Sequence, residues 1–82
     1  MFADMPRYFF HLFNDENFKD DEGQELANAA VALQRAVTEA REIAAESVRN
    51  GKLNLGHHIQ VVQDDDEEIG KVTFREAIQI KG

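Results

Sequence analysis

The sequence predicts an α+β domain of ββαββ order, an antiparallel four-stranded sheet with one long helix packed on one face. Three observations predict it. The aromatic-rich run "RYFFHLF" at Arg7–Phe13 holds strand formers and no Gly or Pro. Apolar residues recur at three- and four-residue steps between Ala27 and Asn50, the spacing of a helix. Two short β-branched runs, "HHIQVVQ" and "KVTF", then follow.

In the first strand a period of two places Tyr8, Phe10 and Leu12 on one face and Phe9, His11 and Phe13 on the other, so both faces are apolar. This strand is expected to be central. "NDEN" at Asn14–Asn17 supplies a turn, "FKD" a short return strand, and "DDEG" at Asp20–Gly23 a second turn in which Gly23 takes a positive φ. The helix expected over Ala27–Asn50 has Asn28 as its N-cap, a basic last turn at Arg49, and Gly51 just beyond its end. Its core-facing row is expected at Leu26, Ala30, Leu33, Val37, Ala40, Ala44 and Ser47, widened by Ala29, Ala36, Ile43 and Val48, while Val31 and Ala45 fall off this arc. Alanine on the helix opposite Tyr8 and Phe10 on the sheet lets the two layers approach closely. A helix-to-helix seam between two chains is the alternative use of such a surface, but no clean heptad is sustained. His57–Gln63 is expected as the third strand, "DDDEEIG" as a charged turn, Lys71–Phe74 as the fourth strand, and "IQI" at Ile78–Ile80 as a further strand or edge after a bend at "REA".

The 82-residue length bounds the chain to one domain. A domain this small buries about 60–65% of the surface of its unfolded chain, so association, a metal or disulfides are the usual supplements. With no cysteine, disulfides and thiolate metal sites are excluded, and association leads. The formal net charge of −7, from 16 acidic and 9 basic side chains, disfavours a phosphate backbone as ligand; it would speed encounter with a basic protein partner, although ordinary solvated surface is the commoner source of such an excess. Neither a secretory leader nor a run long enough to span a bilayer is read from the chain, so a cytoplasmic location without membrane contact is expected.

The run "MPRYFFHL", followed by "DDEGQEL", an alanine-rich helix and "LGHHIQV", resembles a family of short, uncharacterised bacterial proteins known only as a domain of unknown function. The resemblance extends from Met5 to about Ile80 and is carried most strongly by "RYFFHL" and by Asp21, Glu22 and Gly23. It implies that residues 5–82 form the domain and that Met1–Asp4 are an N-terminal extension, expected to be disordered. It implies no activity and no catalytic residue.

Chemistry-bearing motifs are few. The histidines His11, His57 and His58 are the only transition-metal ligand candidates, and as strand neighbours His57 and His58 point to opposite faces, so only one could join His11. A carboxylate such as Asp20 or Asp21 would have to complete that site; a partly buried, hydrogen-bonded His11 is the plainer expectation. "DDDEEIG" lacks the spacing of a calcium loop, and no P-loop, dinucleotide fingerprint or nucleophile motif occurs. No cofactor and no catalytic role are therefore expected. The sheet face away from the helix instead offers Phe9, His11 and Phe13, with Ile59 and Val61 from the third strand, as an interface: this face, or a strand edge beside it, is expected to pair with a second copy of the chain, the alternative being that the N-terminal residues or "IQIKG" fold back over the rings. The sequence thus points to a small non-enzymatic interaction or regulatory module acting as a homodimer, with a metal- or ligand-binding domain using His11 and His57 or His58 as the alternative.

Overall fold

The computed structural model describes residues 5–64 and 66–79. The strands are β1 (Arg7–Phe13), β2 (Asn17–Phe18), β3 (Gln24–Glu25), β4 (His58–Gln63) and β5 (Glu68–Thr73), with helices α1 (Ala29–Arg49) between β3 and β4 and α2 (Phe74–Ala77) after β5. The main order is β2-β1-β4-β5, all antiparallel, with β3 also paired to β1. The α+β class and the central first strand are as expected; β3 and α2 are additions. The expectations for Met1–Asp4 and for Ile80 lie outside the described residues.

Register decides which side chains meet α1. Phe10 lies opposite Val61 and Leu12 opposite Ile59, and directly opposed residues share a face. Tyr8, Phe10, Ile59, Val61 and Val72 are all buried with Phe74 in one core under α1. This corrects the expected interface: Ile59 and Val61 belong to the helix-covered face and are essentially inaccessible. The β4 residues on the open face are His58, Gln60 and Val62, opposite Phe13, His11 and Phe9.

The helix begins where its chemistry says it should. Asn28 is extended and its side-chain oxygen accepts the Val31 N–H at 2.9 Å, closing the first turn. At the other end Gly51 adopts φ 85°, and the N–H groups of Asn50, Gly51 and Lys52 return to carbonyls of the last turn. The row buried against the sheet is Ala32, Ala36, Ala40 and Ala44, with Leu33, Val37 and Ile43 packed at its flanks. Ala30 and Val48, placed in the expected arc, are instead exposed. Large rings on the sheet select the smallest helix residues for the line of closest approach, and this rotates the buried row away from the larger side chains. Gly70 on β5 shows how tight the seat is: a Cβ there would meet Leu33 Cδ2 at 3.1 Å.

The C-terminal strand also differs from expectation. It runs over Glu68–Thr73 and stops before Phe74, because Thr73 and Glu76 form a capping box: the Thr73 hydroxyl accepts the Glu76 N–H at 3.1 Å and Glu76 Oε1 accepts the Thr73 N–H at 3.1 Å. Phe74 therefore opens α2 and is driven into the core. Ile78 is extended but lies outside any strand, so the expected continuation through it is not formed. No helix is long and apolar enough to cross a membrane among the described residues.

The position of the buried row is open to a direct check. Ala36→Leu is expected to cost about 1–3 kcal/mol through overpacking, lowering the urea midpoint, whereas Ala30→Leu on the exposed side leaves the midpoint nearly unchanged. Equal midpoints for the two variants would contradict an inward-facing row of Ala32, Ala36, Ala40 and Ala44.

Candidate interaction face and its anchoring carboxylate

The open face of the sheet is built by alternate residues of β1 and β4. Phe13 and His58, directly opposed, stack with ring centroids 4.8 Å apart and an interplanar angle of 12°. Along β1, Phe9 and His11 lie 6.5 Å apart at 17°. Two phenyl rings and two imidazoles thus form one aromatic strip, and Gln60 and Val62 fill the positions between them. Phe9 and Phe13 are half-buried, because the imidazoles and the Asp20–Gly23 turn cover part of each ring.

The edge of β1 is held by a side chain. Between its short pairings with β2 and β3, β1 has no strand neighbour on that side among the described residues, and Asp20 takes the place of one. Its carboxylate accepts N–H groups from Phe10, Glu22 and Gly23, each at 3.1 Å, while the Asp20 N–H donates to His11 Nδ1 at 3.0 Å. That last bond needs the neutral ring tautomer with its proton on Nε2. Burial works to raise the Asp20 pKa, but the N–H groups of Gly23, Phe10 and Glu22 outweigh it and hold the carboxyl below its ordinary value. Gly23 is required beside it: φ is 71°, and a Cβ would come within 2.9 Å of the Tyr8 carbonyl oxygen. The sequence marks this device, since an Asp three residues before a turn Gly is an Asx-turn signature, but nothing in it says that the same carboxylate completes a sheet edge.

Charge is arranged around the strip. At the Phe9 end, a hollow of about 240 Å³ brings Asp20, Asp21, Asp64 and Asp66 beside Phe9 and His11, with Lys19 as the one cation among the described residues on its wall. Glu68 accepts a hydrogen bond from Gln60, and Arg7 pairs with Glu25 at 3.4 Å near the edge. At the β2 end, a mostly apolar hollow of about 220 Å³ is lined by His11, Phe13, Asn17, Phe18 and Lys19. Phe18 is 54% exposed there.

The histidines separate in the fold. His11 and His58 share the open face on a diagonal of the β1–β4 ladder, and each is stacked on a phenylalanine. His57 lies against the core, edge-on to Phe74 at 5.7 Å, with Nε2 3.5 Å from Asp15 Oδ1. His11 and His57 are therefore not brought together. Among the described residues no three His, Asp or Glu side chains gather in a metal-binding arrangement. On the helix-covered side, Glu39 is pushed up by burial beneath a hydrogen bond from Gln24.

Asp20 makes a measurable acid signature. Because its native pKa lies below the unfolded one, its stabilisation is complete above about pH 4 and is lost as pH falls through the lower native value. Glu39, shifted the other way, contributes in the opposite sense, so the comparison belongs in a Glu39→Gln background. There, Asp20→Asn should flatten the acid limb of the stability curve, and Asp20→Ala should cost about 1.5–3 kcal/mol at pH 7. Parallel acid limbs in chemical denaturation, with and without the Asp20→Asn substitution, would remove the carboxylate from this role.

Comparison with curated proteins and with solved structures finds no match to this chain. A family model does match, over residues 7–75, from the first residue of β1 into α2. The interval holds every element that builds the open face, and the chain belongs to the family described as a domain of unknown function, DUF6894.

Proposed function

We propose that this protein is a small, non-enzymatic interaction module of the cytoplasm that works as a homodimer and meets a basic protein partner on its open sheet face. The observation that carries the proposal is the aromatic strip of Phe9, His11, Phe13 and His58 with carboxylates gathered at its Phe9 end. Stacked π-faces attract guanidinium and ammonium groups, and the flanking aspartates extend the same preference. A partner segment bearing Arg or Lys would lay its cations over the rings and between Asp64, Asp66 and Asp21. The chain's overall charge of −7 adds long-range attraction for such a partner.

Several features support a binding role over a catalytic one. The open face is shallow, its His11 Nδ1 is committed to a backbone N–H, and Asp20 is occupied by three backbone donors. Both groups serve to hold the strip flat. Association in turn suits a domain whose core is roofed by one alanine-rich helix, since little apolar area is available to stabilise a single copy.

Two measurements test the proposal. Light scattering at high micromolar concentration should give twice the 9.3 kDa chain mass; a single-chain mass would remove the homodimer. Titration with an Arg/Lys-rich extended peptide should shift backbone resonances of Phe9, His11, Phe13 and His58 with an affinity that falls as salt rises, while a Glu-rich peptide leaves them in place. Phe13→Ala should weaken binding of the basic peptide about two- to fivefold, and resonance shifts confined to other surfaces would overturn the assignment of this face.

A further inference from the structure

One flank of α1, beside the buried row, carries an apolar stripe that reaches the surface. Arg41, Ala45 and Val48 follow one another at four- and three-residue steps, and with Ala44, Leu53 and Ile78 they line a hollow of about 370 Å³. Val48 is 58% exposed and Leu53 38% exposed, and Ala45 is exposed between them. Ala45 is also one of the residues that the core-facing pattern leaves unexplained. The Arg41 guanidinium closes one end of the hollow, its Nε donating to the Ala77 carbonyl at 2.7 Å and tying α2 to α1.

We infer that this stripe is the contact between two copies of the chain, α1 packing antiparallel on the α1 of the second copy about a two-fold axis near Ala45. Such a contact rests on the homodimeric reading of the protein and names its surface. A projecting Val48 lies beside a hollow floored by Ala44 and Ala45, so two copies related by that axis each insert a valine into the other's hollow. Self-complementarity of this kind is what an isologous interface requires. The alanines let the helix axes come to about 8 Å.

Charge selects the second copy as occupant. Glu42 and Arg49 are seven residues apart, two helical turns, and so flank the stripe on one side. An axis passing midway between positions 45 and 46 brings Glu42 of one chain level with Arg49 of the other, twice over. Arg49 already pairs with Glu46 in its own chain at 2.7 Å, but both groups are largely exposed, so sharing the guanidinium across the axis displaces an interaction of small worth. An antiparallel helix contact also leaves both open sheet faces on the outside of the dimer, free for the basic partner.

The absence of cysteine from the chain gives a clean test. Ala45→Cys, adjacent to the axis, should form a covalent dimer on mild oxidation, whereas Gln60→Cys at the centre of the open face should not. Val48→Asp should weaken self-association by at least about tenfold. Glu42→Arg and Arg49→Glu should each weaken it, and the double variant should restore it, a recovery that a merely structural role for either residue would not produce. All these positions except Gln60 are exposed, and circular dichroism verifies the fold of each variant. A dimeric wild type that cross-links through Gln60→Cys and not through Ala45→Cys, or that gains nothing from the double charge exchange, overturns this surface while leaving the homodimer standing. A wild type that is monomeric at high micromolar concentration overturns the homodimer and this contact with it.

Discussion

Close approach between α1 and the sheet is the constraint on which the rest of this structure depends. The sheet presents Tyr8 and Phe10 upward with Ile59, Val61 and Val72 around them, and only residues of minimal volume can lie directly above. Ala32, Ala36, Ala40 and Ala44 occupy that line. Since the helix has one rotation about its axis, setting those alanines inward also determines what faces outward: Ala45 and Val48 appear on a flank, and Glu42 and Arg49 border them. The packing of the core and the pattern of the outer surface are one decision.

The same economy operates in the sheet. A strand flanked by two-residue partners would leave N–H groups at its edge without acceptors, a costly arrangement where water is partly excluded. Asp20 supplies the acceptor and His11 receives the reciprocal N–H, so a side chain and a loop backbone replace a missing length of strand. One consequence is local order: the Asp20–Gly23 turn is drawn over Phe9. Another is chemical, because His11 becomes part of the scaffold and presents its stacked ring, not a free Nδ1, to whatever meets the face.

Covering the helix-facing side so thoroughly leaves the opposite face with a distinct character. Its rings are stacked in pairs, and carboxylates collect at the Phe9 end. Such a surface is suited to recognition by shape and cation–π attraction, whose strength at partly exposed sites is about 0.5–1 kcal/mol per contact. Several such contacts, and a partner presenting several cations, are needed for useful affinity. In the proposed homodimer the face would be present twice, which answers that need through effective concentration.

Much of the architecture was legible in the residues. Arg7–Phe13 reads as a strand because it is aromatic and uninterrupted, α1 as a helix from its periodicity, and Asn28, Gly51 and Gly23 as cap and turn residues from the backbone geometry that each favours. The family likeness was legible too, in "RYFFHL" and the Asp–Glu–Gly punctuation, and the match over residues 7–75 agrees with it. Which β4 residues line the open face was not legible: a period of two says that Ile59 and Val61 share a face, and only pairing with Leu12 and Phe10 says which one. For the same reason the partnership of His58 with Phe13 came from register, and the end of β5 at Thr73 from a capping box that competes with the strand. The sequence by itself determined the main elements (β1, α1 and the β4–β5 hairpin), their order and the residue types available for a surface, because those follow from local conformational preference and spacing. The tertiary structure alone decided the rotation of α1, the register of β4 and the assignment of Asp20 to the β1 edge, because each depends on atoms that are distant in the chain and meet only when the layers close.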